Sequence, residues 1–361
     1  MNRFEEVDAK IQNIRDYLAL REARGIHVQR VENFAWVTGG LKNYVTLNGV
    51  QTECSLLITP EKAYVVSPHS ELDRLNALWQ LGIFEIASHD WDQDPKTVAS
   101  KIVKSRCLQD SEKTADYLKS QRVILNENEQ FRLARLGKLA AQALEHGLQQ
   151  ATPDMSEQKL AAVIAYELMV RGVEPVLVIV SGEDNFRSHH NISGQGKTGT
   201  ICMGIVCAKL EGLVVSLTRM ICFRQDVQLT EQMRRNTAID AAIINATRHS
   251  KTLAEAFEKL VKFYGEHELD AEWRKLHQGG IVGYKLKEYF ASSSSTVAIQ
   301  EGMAFAWNIT ISGTKSEDTF LHQDGKMRWI THAPGTRWPI LEHKIDGQTY
   351  GRPGILFLGR T

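Results

Sequence analysis

Hydrophobic residues recur with a helical period at the start of the chain. Between residues 4 and 23 the apolar side chains include Val7, Ile11, Ile14 and Leu18, which predicts an amphipathic helix. A second helical stretch is predicted over 70–81. Short apolar runs of strand length lie at 27–31, 35–39, 54–59, 63–67 and 84–89. Alternating strands and helices predict a small α/β domain over residues 1–124.

The second half combines long helical patterns with apolar strands. Helices are predicted over about 128–150, 156–169, 230–247 and 253–268. Strands are predicted from 176, 201, 213, 304, 317 and 327 onward. The strands that begin at Ile201 and Leu213 meet across the turn at Glu211 and Gly212, as antiparallel strands do. Helix pairs beside antiparallel strands predict an α+β domain over 125–361.

Charge composition limits the class of partner. The 361 residues include 43 Lys and Arg against 43 Asp and Glu. Such a balance lacks the basic footprint of a general nucleic-acid binder or of a protein that binds anionic membranes. A small-molecule partner is therefore expected, with no nucleic acid and no membrane.

The cysteines indicate neither a disulfide framework nor a zinc site. There are five, with no C-x-x-C pair, and three lie in apolar runs. The first residues are charged and helical in period, and no stretch of about 18 apolar residues occurs. We therefore expect a reduced, cytoplasmic protein.

Four polar segments interrupt the apolar strands of the second half. They span 181–191, 216–219, 276–289 and 307–319. The first contains His189 and His190, and a histidine at a strand end can act as a general acid or base. In the third, Gly279, Gly280 and Gly283 follow His277, and glycines allow the backbone to approach a ligand closely. No single segment indicates a reaction.

Taken in order, several segments resemble the pita-bread family of creatinase, Xaa-Pro aminopeptidase, prolidase and methionine aminopeptidase. VENFAWVTGG at 31–40 and LLITPEKAYVVSP at 56–68 resemble parts of the family's amino-terminal domain. TPDMSEQKLAAVIAYELMVRGVEP at 152–175, EGMAFAWN at 301–308 and KSEDTFL at 315–321 resemble parts of its catalytic domain. The resemblance implies a creatinase-like domain over 1–124 and a pita-bread domain over 125–361.

The family's peptidases hold two metal ions with two aspartates, one histidine and two glutamates. The resemblance places these ligand positions at Ile205, Ser216, His277, Asn308 and Glu317. Three of the four carboxylates are thus absent, and isoleucine, serine and asparagine cannot serve as bridging anions. A dinuclear site is therefore not expected, and no cofactor is predicted. One weakly held metal on His277, Glu317 and Asn308 stays open.

Creatinase implies a different chemistry on the same fold, because it cleaves a carbon–nitrogen bond without metals. Its catalytic histidine corresponds to His189, or to His190 if one insertion is allowed. Its substrate-binding glutamates fall at Thr218 and Asn308, which disfavours creatine as the substrate. The predicted catalytic residues are therefore His189, His190, His277 and Glu317. The predicted substrate-binding residues are Ser216, Arg219, Tyr284, Glu288 and Asn308, with Arg219 available either for a substrate carboxylate or for an internal ion pair.

Three hypotheses follow. The first is a metal-independent enzyme that acts on a carbon–nitrogen bond of an amino-acid-like or dipeptide-like compound. The second is a non-catalytic pita-bread protein that binds peptide or protein. The third is a Xaa-Pro dipeptidase with differently placed ligands, although no aspartate occurs between Ile201 and Phe223. The resemblance also implies a homodimer in which Lys42, Asn43 and Tyr44 reach the partner's pocket.

Overall fold

A computed structural model describes residues 2–47, 49, 52–76, 80–188 and 192–359. Two compact units divide the chain. The first contains Met1–Arg122, Glu127–Glu129 and Glu211–Leu213, and the second contains Val123–Asn126, Gln130–Leu210 and Val214–Thr361. Both units combine helices with sheets, so the α+β prediction is confirmed. Within the described residues, no helix is both long enough and apolar enough to cross a membrane.

The first unit is built around a mixed sheet. Its helices are α1 (Arg3–Leu20), α2 (Val31–Val37), α3 (Pro95–Ile102) and α4 (Glu112–Arg122). Its strands are β1 (Gly25–Val28), β2 (Ser55–Ile58), β3 (Ala63–Pro68), β4 (Phe84–His89) and β5 (Cys107–Gln109). They lie in the order β4-β3-β2-β1-β5, with β1, β2 and β3 antiparallel and the two edge strands parallel to their neighbours.

One sequence prediction in the first unit needs correction, and the range of a second is only partly described. The apolar run 35–39 was predicted as a strand, but α2 covers most of it, and the Thr38 hydroxyl donates to the carbonyl of Phe34 at the helix end. The apolar part of this run, Ala35–Val37, is too short to have a period that separates a buried helix from a buried strand. Of the helix predicted over 70–81, the structure describes a 3₁₀ turn at His69–Glu71 at its start, and residues 77–79 lie outside the described part.

The second unit contains long helices and three groups of strands. Its helices are α5 (Glu127–Gln149), α6 (Glu157–Met169), α7 (Val227–His249) and α8 (Leu253–Glu266). Its strands are β6 (Glu174–Ser181), β7 (Ile201–Leu210), β8 (Leu213–Cys222), β9 (Gly279–Val282), β10 (Tyr289–Phe290), β11 (Ala304–Ile311), β12 (Thr314–Gln323), β13 (Lys326–Trp329), β14 (Ile340–Ile345), β15 (Gln348–Pro353) and β16 (Ile355–Phe357). One sheet has the order β16-β8-β7-β6, a second has the order β10-β9-β11-β12-β13, and β14 pairs with β15.

The core of the second unit lies where β11 meets α7 and α8. Phe305, Trp307 and Ile309 of β11 alternate along the strand and pack into one buried cluster with Tyr264 of α8. The Trp307 indole also donates to the hydroxyl of Thr247 on α7, at 3.0 Å. Since successive strand residues point to opposite faces, this packing directs the intervening residues of β11 away from the helices.

Candidate functional site

The five positions that the resemblance assigns to metal ligands line one cavity of the second unit. The cavity has a volume of about 170 Å³. Ile205, Ser216, His277, Asn308 and Glu317 contribute to its wall. The remaining lining residues are Leu177, Ile179, Cys207, Leu286, Lys287, Phe290 and Lys315. The five positions that the order of motifs assigned to metal ligands therefore lie close together in the fold.

The strand period explains why these side chains meet. Asn308 on β11 lies directly opposite Glu317 on the antiparallel strand β12. Lys315 precedes Glu317 by two positions, so both side chains point to the same face of the sheet. Ser216 on β8 joins the two sheets, because its N–H donates to the hydroxyl of Thr319 at 2.9 Å and its carbonyl accepts from that hydroxyl at 3.0 Å.

Glu317 is held in a buried ion pair. The ammonium of Lys315 lies 3.0 Å from Glu317 Oε2, and both side chains are almost inaccessible to solvent. The hydroxyl of Thr218 donates to the same oxygen at 3.1 Å. Burial alone would raise the pKa of Glu317, but the charges of Lys315 and Lys287 and these hydrogen bonds outweigh it, so the pKa lies below its ordinary value. Glu317 is therefore ionised at neutral pH.

Lys287 provides a second ammonium group in the cavity wall. Burial lowers its pKa, and the positive charge of Lys315 acts in the same direction. The negative charge of Glu317 and the Cys207 thiol oppose this shift without cancelling it. Glu317 thus forms its direct ion pair with Lys315, and Lys287 adds a second basic group to the same wall.

His277 and Asn308 form the polar end of the cavity. The Asn308 side-chain amide donates to the backbone carbonyl of His277 at 3.1 Å. The His277 ring packs edge-on against Phe290, with 5.2 Å between the ring centroids. On the neighbouring strands, the Ser216 hydroxyl lies 3.4 Å from the Cys207 sulfur. An imidazole, an amide and a hydroxyl therefore line the same small cavity.

These side chains do not fit a dinuclear metal site. Ile205 has no donor atom, and Ser216 and Asn308 are neutral. The one carboxylate, Glu317, is bound by the ammonium of Lys315. Among the residues that the structure describes, no three His, Cys, Asp or Glu side chains come together as a metal-binding group. Positive charge, which two metal ions would supply, comes here from lysine.

Arg219 serves as an internal ion pair, the second of its predicted roles. It is buried, and it does not line the cavity. Its guanidinium donates to Glu145 Oε1 at 3.0 Å and to Asp318 Oδ1 at 3.1 Å. Arg352 donates to the other Asp318 oxygen at 2.8 Å. No residue of this network lines the cavity, so the role of the network is structural.

The other predicted residues are placed as follows. Tyr284 and Glu288 are buried, and the Tyr284 N–H donates to Glu288 Oε1 at 3.1 Å, but neither residue lines the cavity. Asn43 and Tyr44 are also buried, whereas Lys42 is exposed. His189 and His190 lie outside the described residues.

Sequence reasoning missed both lysines of the cavity. The signal for Lys315 was its position two residues before Glu317 on a predicted strand, which places both side chains on one face. Lys287 follows the glycine-rich segment in an irregular stretch before β10. This stretch has no regular period, so the sequence does not indicate where the Lys287 side chain points.

Comparison with known structures identifies the fold. The chain resembles a prolidase from Thermococcus sibiricus at 15% identity and a TM-score of 0.72, covering 92% of this chain and 98% of that one. It resembles the dipeptidase PepE from Mycobacterium ulcerans at 16% identity and a TM-score of 0.73, covering 92% and 97%. The N-terminal domain of the FACT complex subunit SPT16 from chickpea matches at 12% identity and a TM-score of 0.66, covering 91% and 96%.

Sequence comparison gives the family. No sequence among the curated proteins matches this chain significantly. The model of metallopeptidase family M24, however, matches residues 132–330, which include most of the second unit and every described residue of the cavity wall. The pita-bread fold predicted from the order of motifs is therefore confirmed, and the chain belongs to metallopeptidase family M24.

Proposed function

We propose that this protein is a metal-independent enzyme that acts on a carbon–nitrogen bond of a small amino-acid-like or dipeptide-like compound. One observation carries the proposal: in the cavity at the family's ligand positions, the ammonium of Lys315 is bound to Glu317. A metal ion in such an enzyme polarises a carbonyl and neutralises negative charge as it develops. Lysine ammonium groups in a desolvated cavity can stabilise the same developing charge.

The cavity contains the groups that hydrolysis of an amide requires. His277 takes a proton from water, and the water oxygen attacks the carbonyl carbon. The ammonium of Lys287 stabilises the oxyanion that forms. The proton then passes from His277 to the leaving nitrogen, the carbon–nitrogen bond breaks, and a carboxylic acid and an amine are released. Asn308 and Ser216 supply hydrogen bonds that orient the substrate.

The size of the cavity limits the substrate. Sites for drug-sized ligands usually enclose roughly 300–1,000 Å³. A cavity of about 170 Å³ holds a compound of amino-acid size, or one residue of a dipeptide. A folded protein or a nucleic acid cannot enter it.

The experiment is an assay of Xaa-Pro dipeptides, other dipeptides, N-acyl amino acids and amidino compounds. Each is tested in EDTA and again with added manganese, cobalt or zinc. We expect turnover that neither EDTA nor metal changes, and that falls at least about a hundredfold in the His277→Ala variant, as loss of general acid–base catalysis predicts. The matched control is Lys285→Met, because Lys285 is exposed and does not line the cavity.

Two results would contradict the proposal. Turnover that appears only with added metal and disappears in EDTA would show a metallopeptidase with other ligands. The absence of turnover under every condition would favour a non-catalytic binding protein.

A further inference from the structure

The cavity wall combines two chemically different groups of side chains. Leu177 and Ile179 of β6 pack with Ile205 of β7 to form an apolar group, and Leu286 and Phe290 also line the cavity. The polar group consists of Lys287, Lys315, Glu317, His277 and Asn308. A ligand that satisfies both groups needs a polar part and an apolar part.

Charge balance determines the sign of the polar end. Glu317 forms its direct ion pair with Lys315, at 3.0 Å. The wall therefore holds two lysines and one carboxylate, and Lys287 is the lysine outside the direct ion pair. A charged lysine in a poorly solvated cavity is unfavourable, and an anion beside it removes that cost. Isoleucine occupies position 205, so the apolar wall adds no negative charge of its own.

We infer that this cavity binds a small aliphatic monocarboxylate, with the carboxylate against Lys287 and the aliphatic part against Leu177, Ile179 and Ile205. The inference rests on the proposed function and narrows its substrate to compounds that carry such a group, for example the acid half of an aliphatic amino acid. In place of metal ions, the ligand positions of the fold would then hold an organic anion. Lys287 is the residue that determines this specificity.

The test is calorimetric titration of the whole protein with three isosteric probes: isovalerate, isovaleramide and isopentylamine. They have similar shape and differ in the charge of the polar end. We expect isovalerate to bind at least tenfold more tightly than the neutral amide, and the amine to show no saturable binding. Acetate should bind more weakly than isovalerate, because it lacks the group that contacts the apolar wall.

Variants assign the effect to one side chain. Lys287→Met should reduce the affinity for isovalerate at least tenfold and leave the weak affinity for isovaleramide unchanged. Lys285→Met, which alters the exposed neighbour, should bind isovalerate like the wild type. Because the comparison of acid with amide uses wild-type protein, it does not depend on how well either variant folds.

Equal affinity for acid and amide, no binding of isovalerate, or undiminished binding by Lys287→Met would each overturn the inference. These outcomes are separate from failure of the proposed function. Metal-independent turnover of a neutral or cationic substrate, without carboxylate binding, would refute the inference alone. Carboxylate binding without turnover of any substrate would refute the proposed enzyme and keep the binding site.

Discussion

Replacing Asp318 with alanine is expected to lower the free energy of unfolding by about 3–5 kcal/mol, the range for removing one partner of a buried ion pair. Asp318 accepts from Arg219 at 3.1 Å and from Arg352 at 2.8 Å, and both guanidinium groups are inaccessible to solvent. Without Asp318, these two buried cations keep only Glu145 and Asp240 as carboxylate partners among the described residues.

The measurement is equilibrium unfolding in guanidinium chloride, followed by circular dichroism. Asp154→Ala is the matched control, because Asp154 forms an ion pair with Lys197 at a similar distance, 3.0 Å, in which both side chains are mostly exposed. Exposed pairs contribute little, so the control should unfold like the wild type. If Asp318→Ala were as stable as this control, the network beneath the cavity would have no structural role.

Replacing Glu317 with glutamine is expected to lower the free energy of unfolding by about 3–5 kcal/mol, because it leaves a buried lysine without its carboxylate. Lys315 is the lysine concerned, since its ammonium lies 3.0 Å from Glu317 Oε2. Adding Lys315→Met to Glu317→Gln removes the unpaired charge. The double variant should therefore recover stability, with a coupling energy of about 1–3 kcal/mol between the two positions.

The same pair predicts a dependence on pH. The pKa of Glu317 is lowered in the folded protein, so the ionised group stabilises the fold above the ordinary glutamate pKa. That contribution is lost as the pH falls through the lowered pKa. The difference in unfolding free energy between wild type and Glu317→Gln should thus be constant near neutrality and shrink in acid. A coupling energy near zero at neutral pH would contradict the ion pair.

The fold was largely predictable from the sequence because its elements have clear periods. The helix over Arg3–Leu20 and the strand over Ala304–Ile311 follow from apolar spacing. The strand predicted from Glu317 lies within Thr314–Gln323, and its start at Thr314 was not predicted. The prediction of a strand over 35–39 was wrong, because the three adjacent apolar residues of this run carry no period. Tertiary packing determines that this segment is helical, and that packing cannot be predicted from a single sequence.

The candidate site was predictable in position and incomplete in chemistry. The ligand positions, among them Ile205, Asn308 and Glu317, line one cavity as the order of motifs implied. The polar side chains that line the cavity in place of the missing carboxylates could be identified only from the direction in which each side chain points. Lys315 could have been found from strand alternation, whereas Lys287 lies in a segment without a period. Arg219 lies three residues from Ser216 on a strand, so alternation already directs it to the opposite face.

The direct test of this account is the metal content of the wild-type protein. Purified without chelator and soaked in turn with excess manganese, cobalt and zinc, the protein is desalted and analysed by inductively coupled plasma mass spectrometry. Since Glu317, the one carboxylate in the cavity wall, is already bound by the ammonium of Lys315, we expect no stoichiometric metal under any condition. One or two tightly held metal ions per chain would contradict the account and would restore the dinuclear peptidase as the function to assay.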